Sequence, residues 1–341
     1  MPLPLLLVGI GISGMAALGV KKTADAIADN SKAKSINEDA QSIYEQAEKK
    51  LVSARKTTAR HLKKLGQAKL EAWDEQIGRF VTLFEQIRNV QLTGEVQKED
   101  FNPAQFTAGE LAEMREVSLR ASEVVVGGLQ ALGTGALVGI ASYGGATMFA
   151  SASTGTAIAT LSGIAAKNAT LAWFGGGSLA AGGLGVAGGT IVLGGIVAAP
   201  VLAVGGMVLA AKARKNLAAA EANLAEAKRA AEEMKSATSV VRAIGRVARE
   251  YSGVVDALRA RMDQVLDDLE TIIARSGTNY EDFTLDERKT VHLSVQFAQA
   301  MKLALETPIL TEQGALHPNC RKPLKRVQRF LTTEAGEPAA K

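Results

Sequence analysis

The chain has 341 residues, of which 22% are charged, and its formal net charge is +4 with a pI of about 9.0. Its Lys and Arg residues are interspersed with Asp and Glu rather than gathered on one stripe beside aromatic residues, so nucleic acid is not expected as a partner. The single cysteine, Cys320, excludes an internal disulfide.

The N-terminal stretch is uncharged from Pro2 to Val20 and is followed by Lys21 and Lys22. A secretory signal carries its positive charge before the apolar stretch, whereas here both lysines come after it. We therefore expect residues 1–22 to form a short, Gly-rich membrane helix whose length is borderline for a full crossing.

Residues 23–95 are polar and charged, and their apolar positions recur three and four residues apart without an intervening proline. This pattern predicts one long amphipathic helix with coiled-coil character, in which Gly66 is the weak point. Residues 96–123 then read as a polar linker followed by a helix that restarts near Thr107. The apolar stripe of the long helix includes Leu51, Leu62, Leu65, Trp73, Ile77, Phe80 and Phe84.

Residues 124–211 contain one charged residue, Lys167, and 21 of the chain's 34 glycines. Because a spanning helix needs about 20 mostly apolar residues, each side of Lys167 is long enough for one crossing or two short ones. The run therefore predicts a Gly- and Ala-rich helical hairpin that inserts into a membrane. The alternative is that the same run forms a buried layer inside a soluble helical bundle.

Small residues within this run favour close packing of helices in a bilayer. Gly135 and Gly139 are four residues apart, as are Gly185 and Gly189, which is the small-xxx-small spacing. The best single crossings are 124–142 and 189–211, and a bilayer helix tolerates the proline of the second as a kink. The residues predicted to insert are Val124, Gly135, Gly139, Trp173, Gly185, Gly189 and Pro200.

Residues 212–276 repeat the three-and-four apolar spacing and predict a second long amphipathic helix that ends at Ser276 and Gly277. Neither long helix can bury its apolar stripe alone. We expect the two to pack antiparallel along their length, with one or two shorter helices beside them.

Residues 277–341 form a C-terminal unit in which Thr284 and Glu287 have the spacing of a capping box and Pro308 ends the helix. A basic cluster follows, and the tail from Thr332 is expected to be disordered. The cluster is either a solvated surface or a contact for anionic lipid headgroups. The residues predicted to contact headgroups are Lys21, Lys22, Lys212, Lys215, Arg321, Lys322, Lys325 and Arg326.

No pattern in the chain indicates catalysis, a cofactor or a metal. The GxGxxG spacing occurs twice, beginning at Gly9 and at Gly183, but neither match is followed by the second strand that a dinucleotide-binding fold requires. Of the three histidines, only His317 lies near Cys320, and no second ligand pair accompanies them. We therefore expect a protein that is not an enzyme.

The layout resembles the alpha-helical pore-forming proteins, in which long bundle helices hold an apolar hairpin that later inserts. The Gly-rich hairpin is also similar to the membrane-inserting region of apolipoprotein L. Its most distinctive stretch is GGGSLAAGGLGVAGG, residues 175–189. The resemblance implies a membrane-perturbing or channel-forming activity and a soluble form that shelters the hairpin. It transfers no individual site residue.

These observations predict an all-α protein that inserts into a bilayer and permeabilises or remodels it as a homo-oligomer, in the manner of a toxin or defence effector. Basic residues flank the apolar stretches, which places the bulk of the chain in the cytoplasm at an inner or plasma membrane. A constitutive membrane-anchored scaffold, whose long helices bind a partner protein, is the alternative. A wholly soluble bundle is the third interpretation.

Overall fold

The computed structural model describes the two long helical regions and the C-terminal part of the chain. Every regular element in these residues is a helix, which confirms the all-α class. Within this portion of the chain, no helix combines the length and the apolar character that a bilayer crossing requires. The described residues are 18–92, 101–127, 137, 140–142, 217–311 and 315–335.

Six α-helices account for most of the described residues. A π-helical turn, Trp73–Ile77, links α1 directly to α2, and short 3-10 turns lie at Pro103–Gln105 and Tyr280–Asp282. The first predicted long helix therefore ends at Phe84 and not near residue 95. The helices are α1 (Leu18–Ala72), α2 (Gly78–Phe84), α3 (Ala108–Val126), α4 (Leu217–Ser276), α5 (Leu285–Glu306) and α6 (Arg321–Ala335).

The chain divides into two compact units, and the smaller comprises residues 1–49 and 199–235. Its described part consists of the first half of α1 and the start of α4. Most of its buried side chains are alanines, and Asn223 donates a hydrogen bond to Asn37 over 3.0 Å. Small buried side chains let helix backbones approach closely. The buried alanines are Ala33, Ala40, Ala220, Ala227 and Ala230.

In the larger unit, residues 50–198 and 236–341, the two long helices run parallel and not antiparallel as the sequence predicted. Thr58 donates a hydrogen bond to the carbonyl of Val241 over 2.9 Å. Further along both helices, Arg259 forms ion pairs with Glu71 at 3.0 Å and with Glu75 at 2.7 Å. The partner positions advance in the same direction along both helices, which defines the parallel pairing.

A parallel pair requires the intervening chain to travel back along the bundle, and α3 begins that return. Thr107 caps α3 in a capping box with Glu110, which confirms the helix start predicted near this residue. Arg115 of α3 then forms an ion pair with Glu85 just beyond α2. Periodicity fixes which face of a helix is buried but not the direction of its neighbour, so the sequence pattern was equally compatible with either pairing.

The turn between α4 and α5 matches its sequence signals closely. α4 ends at Ser276, and Gly277 has a φ of +81°, a backbone conformation that favours glycine. Thr284 and Glu287 form the predicted capping box, and α5 ends at Glu306, two residues before Pro308. These local signals succeed because capping chemistry involves residues three or four positions apart.

The last helix, α6, was not predicted. Its buried residues follow a three-residue spacing, and Phe330 packs edge-on against Phe297 of α5 and Phe101. The backbone of α6 continues to Ala335, so residues 332–335 are helical and the expectation of disorder from Thr332 is wrong for them. Burial of Leu324, Val327 and Phe330 stabilises the helix.

Gly66, in the middle of α1, allows another segment of backbone to come unusually close. A Cβ atom built on Gly66 would lie 1.9 Å from the carbonyl oxygen of Leu137. Leu137 itself is fully buried. The residue that appeared as a weak point in the sequence is therefore a packing requirement.

We predict that Gly66→Ala destabilises the protein, because the methyl group would push residue 137 away from α1. The expected loss is about 1–3 kcal/mol in the free energy of unfolding, measured by urea titration. Gly253→Ala is the matched control, because a Cβ on Gly253 has nothing within 4 Å. That change should stabilise the helix by about 0.5–1 kcal/mol. Equal effects of the two substitutions would contradict this account of Gly66.

Candidate functional site: the docking face of the apolar segment

The start of the long uncharged run lies inside the larger unit. Val124 belongs to α3 and is 4% exposed, and Leu137, Ala141 and Ser142 are fully buried. Ile140 is 3% exposed and belongs to the same hydrophobic core. Val126 is 84% exposed, so only part of the first predicted crossing packs against protein, including Val124, Leu137 and residues 140–142.

Two backbone contacts hold this segment against the bundle. The carbonyl of Ser142 accepts hydrogen bonds from the N–H groups of Ile309 and Leu310, over 2.8 and 3.2 Å. On the other side, Gly66 admits the backbone of Leu137. We call the surface formed by Gly66, Lys69, Thr307, Ile309 and Leu310 the docking face.

Lys69 lies one helical turn after Gly66 and is the only fully buried lysine among the described residues. Its Nζ donates a hydrogen bond to the carbonyl of Thr307 over 3.1 Å and lies 5.9 Å from the centroid of the Tyr251 ring. Thr307 is the C-cap of α5, so the lysine meets the negative end of that helix. This contact joins α1 to the segment that holds Ser142.

Burial changes the protonation of two groups beside the docking face. It lowers the pKa of Lys69 to about 7, although the nearby Glu306 carboxylate opposes the shift. Burial raises the pKa of Glu306 to about 7, against the opposing effect of Lys302. Both shifts arise because a charged group loses hydration in the core.

The sign of each shift decides how pH acts on this region. Below about pH 7, Lys69 is charged in the folded protein, and this burial of charge lowers the free energy of unfolding. The loss is recovered as the pH rises from about 7 to 10.5, the ordinary pKa of a lysine. The raised pKa of Glu306 acts in the opposite direction. As the pH rises from 4.5, the ordinary pKa of a glutamate, to about 7, the free energy of unfolding falls. Mild acid therefore does not loosen the docking face through either group.

The arrangement holds a segment of the chain against the bundle. Lys69 is 0% exposed, so no substrate reaches its amine in this conformation. Among the described residues, no group of three His, Cys, Asp or Glu side chains is placed to hold a metal ion. What the site does offer is a protein surface for the first residues of an apolar run.

The predicted headgroup residues of α6 are exposed but do not all act alike. Arg321 lies 3.8 Å from Glu250 of α4, and the guanidinium of Arg326 lies 4.6 Å above the ring of Phe101. Lys322 and Lys325 are also exposed. The buried positions of α6 face the bundle, so these four basic residues share its outer side.

The remaining predicted site residues lie partly or wholly beyond what the structure describes. Lys21 and Lys22 fall at the start of the described part of α1, where only the helical backbone is described. The other predicted positions are outside the described residues: Gly135, Gly139, Trp173, Gly185, Gly189, Pro200, Lys212 and Lys215.

A second feature was missed in the sequence, where basic residues were judged to be evenly mixed with acidic ones. Residues 50–70 contain no Asp or Glu, and neither do residues 236–249. Parallel pairing of α1 and α4 brings these two stretches together, and they form a cavity of about 370 Å³. The sequence alone could have shown that each stretch lacks acidic residues, but only the fold shows that the two stretches are neighbours.

Comparison with protein-family models, with curated proteins and with solved structures gave no match to this chain. The assignment of function therefore depends on the residues and contacts described above.

We predict that Lys69→Met removes a pH dependence of stability. In the native protein, stability should rise between about pH 7 and pH 10.5, because the unfolded chain holds a proton on Lys69 that the folded protein has released. The variant should be more stable at pH 7 by a few kcal/mol and lack this rise. The measurement is urea unfolding at several pH values, with Lys63→Met, an exposed lysine of the same helix, as the control. An unchanged slope in Lys69→Met would show that the buried amine is not its source.

Proposed function

We propose that this protein is a non-enzymatic helical protein that inserts its Gly-rich segment into a lipid bilayer and permeabilises or remodels it as a homo-oligomer. The observation that carries the proposal is the run 124–211, which has a single charged residue and 21 glycines. A run of this length without charge is readily hidden by lipid. Its small residues suit helix association where no water drives packing.

The docking face supports a form of the protein that shelters the start of this run before insertion. Leu137, Ile140 and Ala141 are buried against the bundle, and the segment is held through backbone contacts at Ser142. Most charged residues of the surrounding bundle face the solvent. Release requires the segment to leave the docking face, and the capping boxes that start α3 and α5 are not part of that face.

The basic residues provide the first contact with an anionic surface. Lys322 and Lys325 are exposed on the outer side of α6, where lipid headgroups can reach them. Lys21 and Lys22, with Lys212 and Lys215, flank the apolar stretches and would remain on the cytoplasmic side of an inner or plasma membrane. This placement fits a toxin or defence effector that acts from within the cell.

A constitutive membrane-anchored scaffold is the second candidate, and one observation favours it. Val52 of α1 and Val240 of α4 are 53% and 41% exposed, so the long helices present apolar side chains to a partner helix. A scaffold of this kind would require detergent at every stage of purification and would leave vesicles intact.

We predict that the full-length protein releases dye from vesicles of phosphatidylethanolamine and phosphatidylglycerol. Gly66→Ala should increase the release rate, by roughly tenfold for each 1.4 kcal/mol by which it weakens docking. Lys69→Met, which stabilises the bundle, should slow release. Fluorescence of a trapped dye is the readout.

The controls separate membrane insertion from general instability. Gly253→Ala makes the same chemical change at an open position and should leave the release rate at or below that of the parent protein. If vesicles stay intact with the parent protein and with Gly66→Ala at every pH and lipid composition tested, the proposal is wrong. A protein that purifies without detergent and never binds vesicles would favour the soluble bundle.

A further inference from the structure

The acid-free stretches of α1 and α4 enclose a cavity whose lining is polar and basic. Its volume is about 370 Å³, within the range of small-molecule sites. We call it the arginine groove. Its polar and basic lining includes Ser53, Thr57, His61, Arg242, Arg246 and Arg249.

The arginines of the groove are arranged along one face of α4. Arg242, Arg246 and Arg249 are four and three residues apart, so successive guanidinium groups lie on the same side of the helix. All three are exposed, and no described carboxylate forms an ion pair with them. Like charges at this spacing repel one another, which makes an uncompensated row of three costly to the helix.

The backbone of α4 comes close to α1 beside these arginines. A Cβ on Gly245 would lie 2.6 Å from the hydroxyl oxygen of Thr58, so a larger residue would separate the helices. Thr58 donates to the carbonyl of Val241, and the Nδ1 of His61 lies 3.2 Å from the carbonyl of Gly245. Because a carbonyl only accepts, Nδ1 of His61 carries the proton, and both side chains fix one wall of the groove.

Acidic residues that contact the neighbouring helix lie further along α4. Beyond the groove, Asp263, Asp267 and Glu270 of α4 receive hydrogen bonds from Gln76 and Arg79. These three acidic side chains of α4 make contacts between helices, whereas the arginines of the groove face solvent. The small net charge of the chain conceals this separation.

We propose that the arginine groove binds a compact anion that carries several phosphate groups. Three guanidinium groups offer fork-shaped pairs of N–H donors that match phosphate oxygens. The hydroxyls of Ser53 and Thr57 line the other wall and can donate to the remaining oxygens. Among the described residues that line the groove, none is Phe, Tyr or Trp, so the groove lacks the large aromatic side chains on which nucleic-acid bases stack.

The source of the phosphate groups is either a soluble polyphosphorylated molecule or the headgroup of a phosphoinositide lipid. The chemistry recognised is the same in both cases, and the groove lies in the part of the bundle where Arg321 of α6 meets Glu250 of α4. The inference does not rest on the proposed membrane insertion, because its readout is binding and not leakage.

The test is titration calorimetry of the full-length protein with myo-inositol hexakisphosphate in about 0.1 M salt. We expect one site per chain and a loss of affinity of about 10- to 100-fold in Arg246→Gln. Arg242→Gln should show a loss of the same order. Arg261→Gln is the matched control, since Arg261 is an exposed arginine of α4 outside the groove. Its affinity should stay within about twofold of the parent protein.

A second arm uses phosphatidylcholine vesicles that contain phosphatidylinositol 4,5-bisphosphate, compared with phosphatidylserine vesicles of equal surface charge. Binding that prefers the phosphoinositide and falls in Arg246→Gln assigns the groove to a lipid headgroup, even if the soluble probe does not bind. The proposal is overturned if neither probe binds. It is also overturned if Arg261→Gln weakens binding as much as Arg246→Gln, because the attraction would then be general to the positive surface.

Discussion

The parallel pairing of α1 and α4 is the constraint on which the larger unit depends. Two parallel helices that are separated in sequence cannot be joined by a short turn, so the chain between them must return along the bundle. α3 begins this return, and its Arg115 forms an ion pair with Glu85 just beyond α2. The return continues at Gly66, where the backbone of Leu137 passes close to α1. Leu137, Ile140 and Ala141 of the uncharged run are buried because the returning chain brings them against α1.

The same pairing distributes charge within the unit. At one end of the pair, Arg79 forms ion pairs with Asp267 and Glu270 of α4, and Gln76 donates a hydrogen bond to Asp263. The arginines of the groove lie together without acidic partners among the described residues. Lys69 differs from the groove arginines because it is buried, and its amine contacts the carbonyl of Thr307 and the ring of Tyr251 and lies in the field of the nearby Glu306. A buried amine is costly, and this one lies at the docking face, between α1 and the end of α5.

The sequence by itself determined the features that depend on neighbouring residues. Three-and-four spacing identified the long helices, and their stripes, including Trp73 and Phe80, are buried. The stop at Ser276 and Gly277 and the capping box of Thr284 and Glu287 were also predicted correctly. These succeed because helical periodicity and capping act over one or two turns of chain. The helical class followed from them.

Only the tertiary structure decided which distant residues meet. Periodicity shows that a stripe is buried but not against which partner or in which direction, so the antiparallel expectation was wrong. For the same reason, Gly66 looked like a defect until Leu137 was placed against it, and the arginines of α4 looked dispersed until Thr57 and His61 of α1 were placed opposite them. Contacts across long separations, such as the 183 residues between Thr58 and Val241, are set by the packing of whole helices, and no local pattern encodes them.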